Sequence, residues 1–288
     1  MTAPLASFLM PVFNESPVRL QKSLDSMRRQ THRHLEFLIV DDGSTSKATC
    51  EVLERLRATE PRLRLLRVEH QGLTRCLNLG LQQCRGEFIC RQDSDDWSEH
   101  DRVERQLKEF AEKPALAVVG SFAQLHQEDG RPLWVARHPM SPAEVEAALP
   151  TRNPFCHGST CFRRSTALSL NGYREVLVCG QDYDFFWRLC ERGGGSNLAR
   201  PLYHYRYTAT AISARRAEDQ ALSTIVTREL AAMRRRAVPE DPEGAMRVAR
   251  HSLAHLDMNK LAELRQADYA MLAGQKRRAL RLYLRSLI

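Results

Sequence analysis

Short apolar runs of strand length alternate with segments of helical periodicity through the first part of the chain. After the first run, Ser16-Pro17 is a favourable helix start, and Leu20, Leu24 and Met27 then recur on one helix face. Strands that alternate with helices predict right-handed crossovers and a mostly parallel, doubly wound α/β sheet. The predicted strands are residues 5–13, 35–40, 63–68 and 88–90.

The middle of the chain mixes strands and helices less regularly. Asp129-Gly130 lies between two apolar runs, which predicts a hairpin over residues 121–136. Residues 153–173 show neither the two-residue period of a strand nor the 3.6-residue period of a helix. The other predicted elements are a helix around Val103–Phe110, a strand at 115–119, a helix after Ser141-Pro142, an aromatic-rich helix beginning at Asp182 and a strand at 202–207.

The composition changes to helix-forming residues near the C-terminus. Leu222, Val226 and Leu230 predict one helix, and prolines separate it from the helices that follow. The last of these helices sets leucines beside arginines. We therefore predict a helical appendage at 214–288, attached to a domain at 1–213.

The formal net charge of +8 is uneven, because residues 214–288 carry 15 basic and nine acidic residues. The chain shows no nucleic-acid-binding motif and no basic–aromatic patch, which argues against a nucleic-acid partner. An anionic membrane surface or a protein partner suits the basic helices. Packing of these helices on the chain's own domain is the equal alternative.

The bulk composition is that of an ordinary globular protein, with 288 residues, 43% hydrophobic and 27% charged. No apolar stretch approaches the ~20 residues of a membrane helix, and the N-terminus shows no secretory pattern. Eight cysteines without a Cys-x-x-Cys pair indicate reduced structural thiols in the cytoplasm. No Gly-x-Gly-x-x-Gly follows the first strand, which argues against a dinucleotide-binding enzyme.

A cluster of carboxylates follows the fourth predicted strand, at Asp93, Asp95 and Asp96. Neighbouring carboxylates repel one another unless a cation lies between them, and Mg²⁺ or Mn²⁺ prefers oxygen ligands. The ends of strands in an open α/β sheet are where ligands bind. The cluster therefore indicates a metal site, and an acidic loop that caps the next helix is the alternative.

Five segments, taken in order, resemble the inverting glycosyltransferases of family 2, which have the GT-A fold. The resemblance runs from about Ser7 to Ser213, and it implies a nucleotide-sugar half at about 1–97 and an acceptor half at about 98–213. The segments are Met10-Pro11-Val12-Phe13-Asn14-Glu15, Ile39-Val40-Asp41-Asp42-Gly43-Ser44, Gly72 to Leu81, Asp93-Ser94-Asp95-Asp96 and Gln181-Asp182-Tyr183-Asp184.

The resemblance implies a nucleotide site at the ends of the first two strands. Pro11 and Phe13 are expected to flank the base, and Asp42 is expected to accept a hydrogen bond from a uracil-like N–H. The alternative is that Pro11 and Phe13 belong to the core and that Asp42 caps the helix beginning near Ser44.

The resemblance also places a divalent cation, Mn²⁺ or Mg²⁺, on Asp95 and Asp93, where it would stabilise the charge of a departing diphosphate. Asp96 is expected to cap the following helix or to bond nearby backbone. Asp182 matches the catalytic base that takes the proton of an acceptor hydroxyl. The alternative for Asp182 is an ordinary carboxylate at a helix start, and Asp184 is the poorer candidate for the base.

Two positions depart from the family pattern. Gln181 stands where an acidic residue often precedes the base, and Thr208 stands where many members have a histidine close to the metal. His204 would share a strand face with Thr208 and is a candidate third ligand, an assignment that stays open.

Two weaker site predictions fall in the acceptor half. His157 is expected to contact phosphate or the acceptor, or else to form a structural hydrogen bond. Trp187, with Phe185 and Phe186, suggests a platform for sugar stacking, although aromatic residues at helical spacing more often form core.

Together these residues and the resemblance predict a metal-dependent, inverting hexosyl- or N-acetylhexosaminyltransferase. It would move a sugar from a nucleoside diphosphate sugar, UDP-linked by preference, to a hydroxyl of a glycan or lipid-linked acceptor. Surface polysaccharide or glycolipid synthesis, in the cytoplasm or at the inner face of the membrane, is the expected setting. The alternatives are a sugar nucleotidyltransferase and a non-catalytic nucleotide-binding scaffold.

Overall fold

The computed structural model describes residues 3–207, 217–254 and 280–281. The strands are β1 (Ala6–Val12), β2 (Leu35–Asp41), β3 (Leu63–Arg67), β4 (Phe88–Arg91), β5 (Trp97–Ser98), β6 (Val118–His126), β7 (Pro132–Ala136), β8 (Cys161–Arg163) and β9 (Gly195–Arg206). The helices are α1 (Pro17–Arg28), α2 (Lys47–Thr59), α3 (Leu73–Gln83), α4 (Arg102–Glu112), α5 (Pro142–Ala148), α6 (Arg164–Ser169), α7 (Gln181–Gly193), α8 (Ala217–Arg235) and α9 (Pro242–Leu253).

One mixed sheet organises the molecule, in the order β3-β2-β1-β4-β8-β6-β9-β5, with β7 paired to β6. The first four of these strands are parallel, and β1 and β2 are apolar and almost wholly buried, as parallel strands covered on both faces require. Because β2 and β4 lie on opposite sides of β1, the strand order reverses there. The carboxyl ends of β1 and β4 therefore frame a crevice of the kind that binds ligands.

The other half of the sheet is less regular. Strands β4, β8 and β6 are successively antiparallel, β9 runs parallel to β6, and β5 is antiparallel to β9. The predicted hairpin is confirmed as β6 and β7, with Gly130 at φ 90° in the turn. The doubly wound α/β class is confirmed.

Several sequence predictions need correction in detail. The region 153–173 contains β8, a three-residue strand that joins the two halves of the sheet and is too short to show a period. The predicted strand at 115–119 begins at Val118, and the predicted final strand begins at Gly195. Pro17 opens α1, but the Ser16 side chain makes no capping hydrogen bond.

Apolar side chains pack on both faces of the sheet because neighbouring residues of a strand point in opposite directions. On one face, Phe8 packs with apolar residues of α1, α2 and α4. On the other face, Leu9 belongs to a cluster with residues of α3, α5 and α7. The catalytic candidate Asp182 is on α7, so this second cluster holds its helix against the sheet.

The helices α8 and α9 pack on the main domain rather than standing apart from it. Leu177, in the loop before α7, is buried in a small cluster with Val226 and Leu230 of α8 and Ala245 and Ala249 of α9. For α8 and α9 the structure therefore shows the alternative that was predicted, which is packing on the chain's own domain. The predicted boundary at residue 213 and nearly all of the predicted last helix lie outside the described residues, and no described helix is both long and apolar enough to cross a bilayer.

Candidate active site

An exposed aromatic pair lies where β1 and β3 end. The ring of Phe13 stacks on His70, with ring centroids 4.1 Å apart and planes inclined by 22°. Phe13 keeps 47% of its surface exposed, so it is not the core residue of the alternative prediction. Pro11 is half-buried in β1 beside Val40 of β2. The pair provides a flat apolar contact of the kind that a nucleotide base needs.

Asp42 lies directly after β2, and its carboxylate faces the start of α3. Its Oδ1 accepts the Gln71 backbone N–H at 2.8 Å, and its Oδ2 accepts the Gly72 N–H at 3.0 Å. The Nδ1 of His70 lies 3.0 Å from the same Oδ2. The Cys76 side chain is a further hydrogen-bond partner of this carboxylate, which is 4% exposed, so Asp42 braces the start of α3.

The contacts of Asp42 do not match the alternative prediction, in which Asp42 caps the helix near Ser44. The Ser44 backbone N–H donates to Oδ1 of Asp41 at 3.0 Å. The start of α2 is capped by Ser46, whose hydroxyl accepts the Thr49 N–H. The helix that Asp42 supports is α3.

Asp93 follows β4 and forms an ion pair with Arg91, whose Nη2 lies 2.6 Å from the Asp93 Oδ1. Burial opposes ionisation of Asp93, but the Arg91 guanidinium outweighs it and holds the pKa of Asp93 below its ordinary value. Arg91 itself is only 1% exposed. Asp93 is therefore ionised at neutral pH, and the buried Arg91 side chain holds it in place.

Asp95 and Asp96 have different surroundings. Burial, followed by the charges of Asp93 and Glu15, raises the pKa of Asp95 to about 7. Asp96 is 1% exposed, and it accepts hydrogen bonds from the Tyr203 hydroxyl at 2.8 Å and the Arg206 backbone N–H at 2.7 Å. Of the two predicted roles for Asp96, bonding to backbone is the one observed, and the backbone belongs to β9.

The carboxylates Asp93 and Asp95 fit a divalent cation, because positive charge between them would relieve their mutual repulsion. Within the described part of the chain, no three His, Cys, Asp or Glu side chains form a ready cluster for a metal. The structure does not bring His204 to them. Its Nε2 lies 2.7 Å from Glu99 Oε1 and its Nδ1 lies 2.9 Å from His126 Nε2, so both ring nitrogens have partners.

Asp182 is the second residue of α7, and Gly180, at φ 65°, turns the chain into the helix. Its Oδ2 accepts a hydrogen bond from Asn153 Nδ2 at 2.7 Å. Burial, with a contribution from the charge of Asp93, raises the pKa of Asp182 to about 6, while helix-start N–H groups and Asn153 oppose that rise. Asp182 thus combines a fixed orientation with a pKa that suits a general base near neutral pH.

The charge of Asp93 contributes to the raised pKa of Asp182, so the two carboxyl groups lie close together although one follows β4 and the other begins α7. His157 is close enough to Asp93 for that charge to act on its ring, and its Nε2 lies 3.1 Å from the Tyr173 hydroxyl. Burial and the Arg91 charge lower the pKa of His157 to about 3, so its ring is neutral. His157 therefore lies near Asp93, and its observed hydrogen bond to Tyr173 is the structural role that was predicted as the alternative.

The prediction of a sugar platform at Trp187 is wrong. Trp187 is 4% exposed, and Phe185 and Phe186 are wholly buried. All three belong to the core cluster that fixes α7 on the sheet, so no flat aromatic face is open to a sugar there. Thr208, the other position singled out near the metal, lies outside the described residues.

Sequence reasoning missed four residues of this site: His70, Arg91, Asn153 and Tyr203. His70 had a usable signal, because it follows a predicted strand at the edge where ligands gather. Arg91 lies only two residues from its partner Asp93, whereas Asn153 and Tyr203 act through contacts that no local pattern encodes. Asn153 reaches Asp182 across 29 residues, and Tyr203 reaches Asp96 across 107 residues.

The sequence comparisons match this chain to glycosyltransferases and polysaccharide synthases. A sequence model described as Glycosyl transferase family 2 matches residues 7–170. Amylovoran biosynthesis glycosyltransferase AmsE of Erwinia amylovora is 27% identical over 73% of this chain and 79% of its own length. Putative glycosyltransferase EpsE of Bacillus subtilis is 30% identical over 74% and 77%. Chondroitin synthase of Escherichia coli is 31% identical over 70% of this chain but only 29% of its own length.

Solved structures with the same fold include two complexes with nucleotide sugars. S. aureus TarS 1–349 in complex with UDP-GlcNAc has a TM-score of 0.65 and 16% identity, and the match covers 94% of this chain and 82% of that one. Mannosyltransferase PcManGT from Pyrobaculum calidifontis, in complex with GDP-Man and Mn²⁺, has a TM-score of 0.62 and 17% identity, with coverage of 99% and 88%. At these identities the likeness shows the GT-A fold.

Proposed function

Because the chain belongs to glycosyl transferase family 2, we propose that it transfers a sugar from a nucleoside diphosphate sugar to an acceptor hydroxyl in one inverting step. One observation carries this proposal: the charge of Asp93, which follows β4, contributes to the raised pKa of Asp182 at the start of α7, so the two carboxyl groups lie close together. Asp93 and Asp95 suit the charged end of a sugar nucleotide, and Asp182 suits the removal of a proton from the acceptor hydroxyl. A single base and a single displacement invert the anomeric carbon.

The nucleotide is proposed to lie at the ends of β1 and β2. The stacked pair of Phe13 and His70 would cover one face of the base, with Pro11 beside it. Asp42, which lies beside His70, would take the ring N–H of a uracil in place of one of its present hydrogen bonds. The UDP-GlcNAc complex of TarS supports UDP as the nucleotide of the donor. The GDP-Man complex of PcManGT is the reason to test GDP as well.

Asp93 and Asp95 are proposed to hold a divalent cation, Mn²⁺ or Mg²⁺. Such a cation, when bound, stabilises the negative charge of a departing diphosphate as a Lewis acid. Arg91 keeps Asp93 ionised, and Tyr203 and Arg206 keep the neighbouring Asp96 away from this role. The Mn²⁺ in the PcManGT complex supports this part of the proposal.

Asp182 is proposed to take the proton of the acceptor hydroxyl. Its carboxylate is oriented by Asn153, and its charge acts on Tyr173, whose hydroxyl lies 3.1 Å from His157 Nε2. Because the pKa of Asp182 is about 6, the group is mostly ionised at pH 7 and still basic enough to accept a proton in the transition state.

A growing polysaccharide or a lipid-linked glycan is the proposed acceptor. The names of AmsE and chondroitin synthase support a role in polysaccharide biosynthesis. A cytoplasmic setting is supported by the eight cysteines, none of which forms a disulfide in the described part of the chain, as expected in a reducing compartment.

The proposal is tested by incubating the protein with UDP-, GDP- and dTDP-sugars, Mn²⁺ and a panel of glycan acceptors. We expect release of UDP, which stops when EDTA removes the metal. Release of pyrophosphate would instead show a nucleotidyltransferase. Asp182→Asn should lower turnover by about a hundredfold or more while UDP affinity is retained, and Asp129→Asn, in the exposed hairpin turn, is the matched control. Normal turnover in Asp182→Asn would disprove the assignment of the base.

A further inference from the structure

An open groove of about 1100 Å³ lies between α5 and the strands β6, β7 and β9. Its walls combine apolar and basic side chains. The apolar ones include Phe122, Val135 and Pro201, and the basic ones are Arg137, His138 and Arg152. None of these residues takes part in the nucleotide site or the metal site described above.

The groove carries an excess of positive charge. Arg137 and Arg152 are exposed and form no salt bridge within the described residues. The carboxylate of Glu144 also lines the groove, and its Oε2 accepts the backbone N–H groups of Met140 and Ser141, so the lining carries two arginines against one carboxylate. The two guanidinium groups are therefore available to an anion.

A polar group at the wall of the groove also lacks a partner. The Nε2 of His138 is buried and has no hydrogen-bond partner among the described residues. Burial and the charge of Arg152 lower the pKa of His138 to about 4, so the ring is neutral and Arg152 lies near it. An unmade hydrogen bond of this kind is costly, and a ligand hydroxyl group can satisfy it after a small ring movement.

The lining of the groove is adjacent in the chain to the residue that orients the proposed catalytic base. Thr151 and Arg152 line the groove, and the next residue in the chain is Asn153, whose side chain donates to Asp182. Helix α8 fixes this rim, because Arg228 donates a hydrogen bond to the Thr151 carbonyl. The groove and the proposed base are therefore joined through three consecutive residues, Thr151 to Asn153.

We propose that this groove binds the acceptor, and that the acceptor is an acidic glycan whose uronate carboxylates pair with Arg137 and Arg152. This inference rests on the proposed function. The guanidinium fork matches a planar carboxylate through two parallel hydrogen bonds. The apolar wall of Phe122, Val135 and Pro201 suits the flat C–H faces of pyranose rings, which a polyol phosphate chain does not have.

The test measures binding of a tetrasaccharide of alternating glucuronate and N-acetylglucosamine, beside its carboxyl-reduced form, by calorimetry. The wild-type protein should bind the acidic form about tenfold more tightly, as expected for charge-assisted pairs. The variant Arg137→Gln/Arg152→Gln should bind both forms equally weakly. Arg131→Gln, an exposed arginine of the same hairpin that pairs with Asp129, is the matched control and should behave as wild type.

Three results would overturn the inference: no preference for the acidic form in wild type, an unchanged preference in the double variant, or tighter binding of a polyol phosphate tetramer. Titration of the same proteins with UDP and Mn²⁺ separates this inference from the proposed function. Retained UDP affinity shows that the double variant is folded. If wild type fails to bind any nucleoside diphosphate, the proposed function fails, whatever the groove binds.

Discussion

At the scale of single residues, carboxyl groups of the same chemistry acquire different properties from their neighbours. Asp93 lies beside the Arg91 guanidinium, which keeps its pKa low, whereas burial raises the pKa of Asp182 to about 6. Asp96 is enclosed by hydrogen bonds from Tyr203 and Arg206. Such divergence between neighbouring carboxyl groups is a common way to divide binding from proton transfer in one site.

The pH dependence of turnover should be set by Asp182 and Asn153. Activity should fall below about pH 6, where the base becomes protonated. The Asn153 amide donates to the ionised form and lowers the pKa of Asp182, so Asn153→Ala should move the acid limb of the pH–rate profile upward by about one unit. Gln82→Ala removes an exposed amide on α3 and should leave the profile unchanged. A profile that Asn153→Ala does not shift would contradict this role.

Phe13 should contribute to nucleotide affinity because base stacking on an aromatic ring is worth about 1–3 kcal/mol. Phe13→Ala should therefore weaken UDP binding about tenfold or more in calorimetry. Phe13→Tyr preserves the ring and its stacking on His70, and it should bind UDP nearly as well as wild type. Equal affinities in all three proteins would place the base elsewhere.

At the scale of elements, the position of α7 depends on pieces that are distant in the chain. Arg174, before the helix, pairs with Asp184 of α7 and with Glu240, which lies between α8 and α9. Arg234 of α8 pairs with Glu240 and with Glu191 of α7. The C-terminal helices thereby support the helix that begins at the proposed base.

The loop before α7 gives a sharp test of this support. Leu177 is fully buried against α8 and α9, so Leu177→Ala should lower the free energy of unfolding by about 2–5 kcal/mol. Val178, its neighbour, is 62% exposed, and Val178→Ala should change stability by about 0.5 kcal/mol or less. Urea unfolding of both variants is the measurement. Equal stabilities would show that the contact with α8 and α9 is not needed to hold this loop.

At the scale of the whole molecule, positive charge is concentrated towards the C-terminus, where residues 276–288 carry five basic and no acidic residues. Association with an anionic membrane stays a prediction from this pattern. Full-length protein should co-sediment with vesicles containing anionic lipid in low salt but not with neutral vesicles, and residues 1–275 should bind less. Equal sedimentation of the two proteins would remove the membrane prediction.

Much of the parallel half of the fold was accessible from the sequence because its information is local. Strands β1 and β2 of that half are largely apolar, and the helices between the strands repeat their apolar residues at helical spacing. The mixed half was less accessible. Strand β8 has three residues and pairs with β4 and β6 only after the chain has folded, so its presence depends on tertiary pairing.

The sequence by itself determined the alternation of strands and helices, the family, and the carboxylates at Asp93, Asp95 and Asp182, because these follow from local periodicity and short motifs. Tertiary structure alone decided which of those groups meet. In the folded protein Trp187 is buried, His204 is hydrogen-bonded to Glu99 and His126, and Asn153 is hydrogen-bonded to Asp182. The physical reason is that burial and hydrogen bonding are set by residues distant in the chain, and those neighbours determine both the pKa and the accessibility of each side chain.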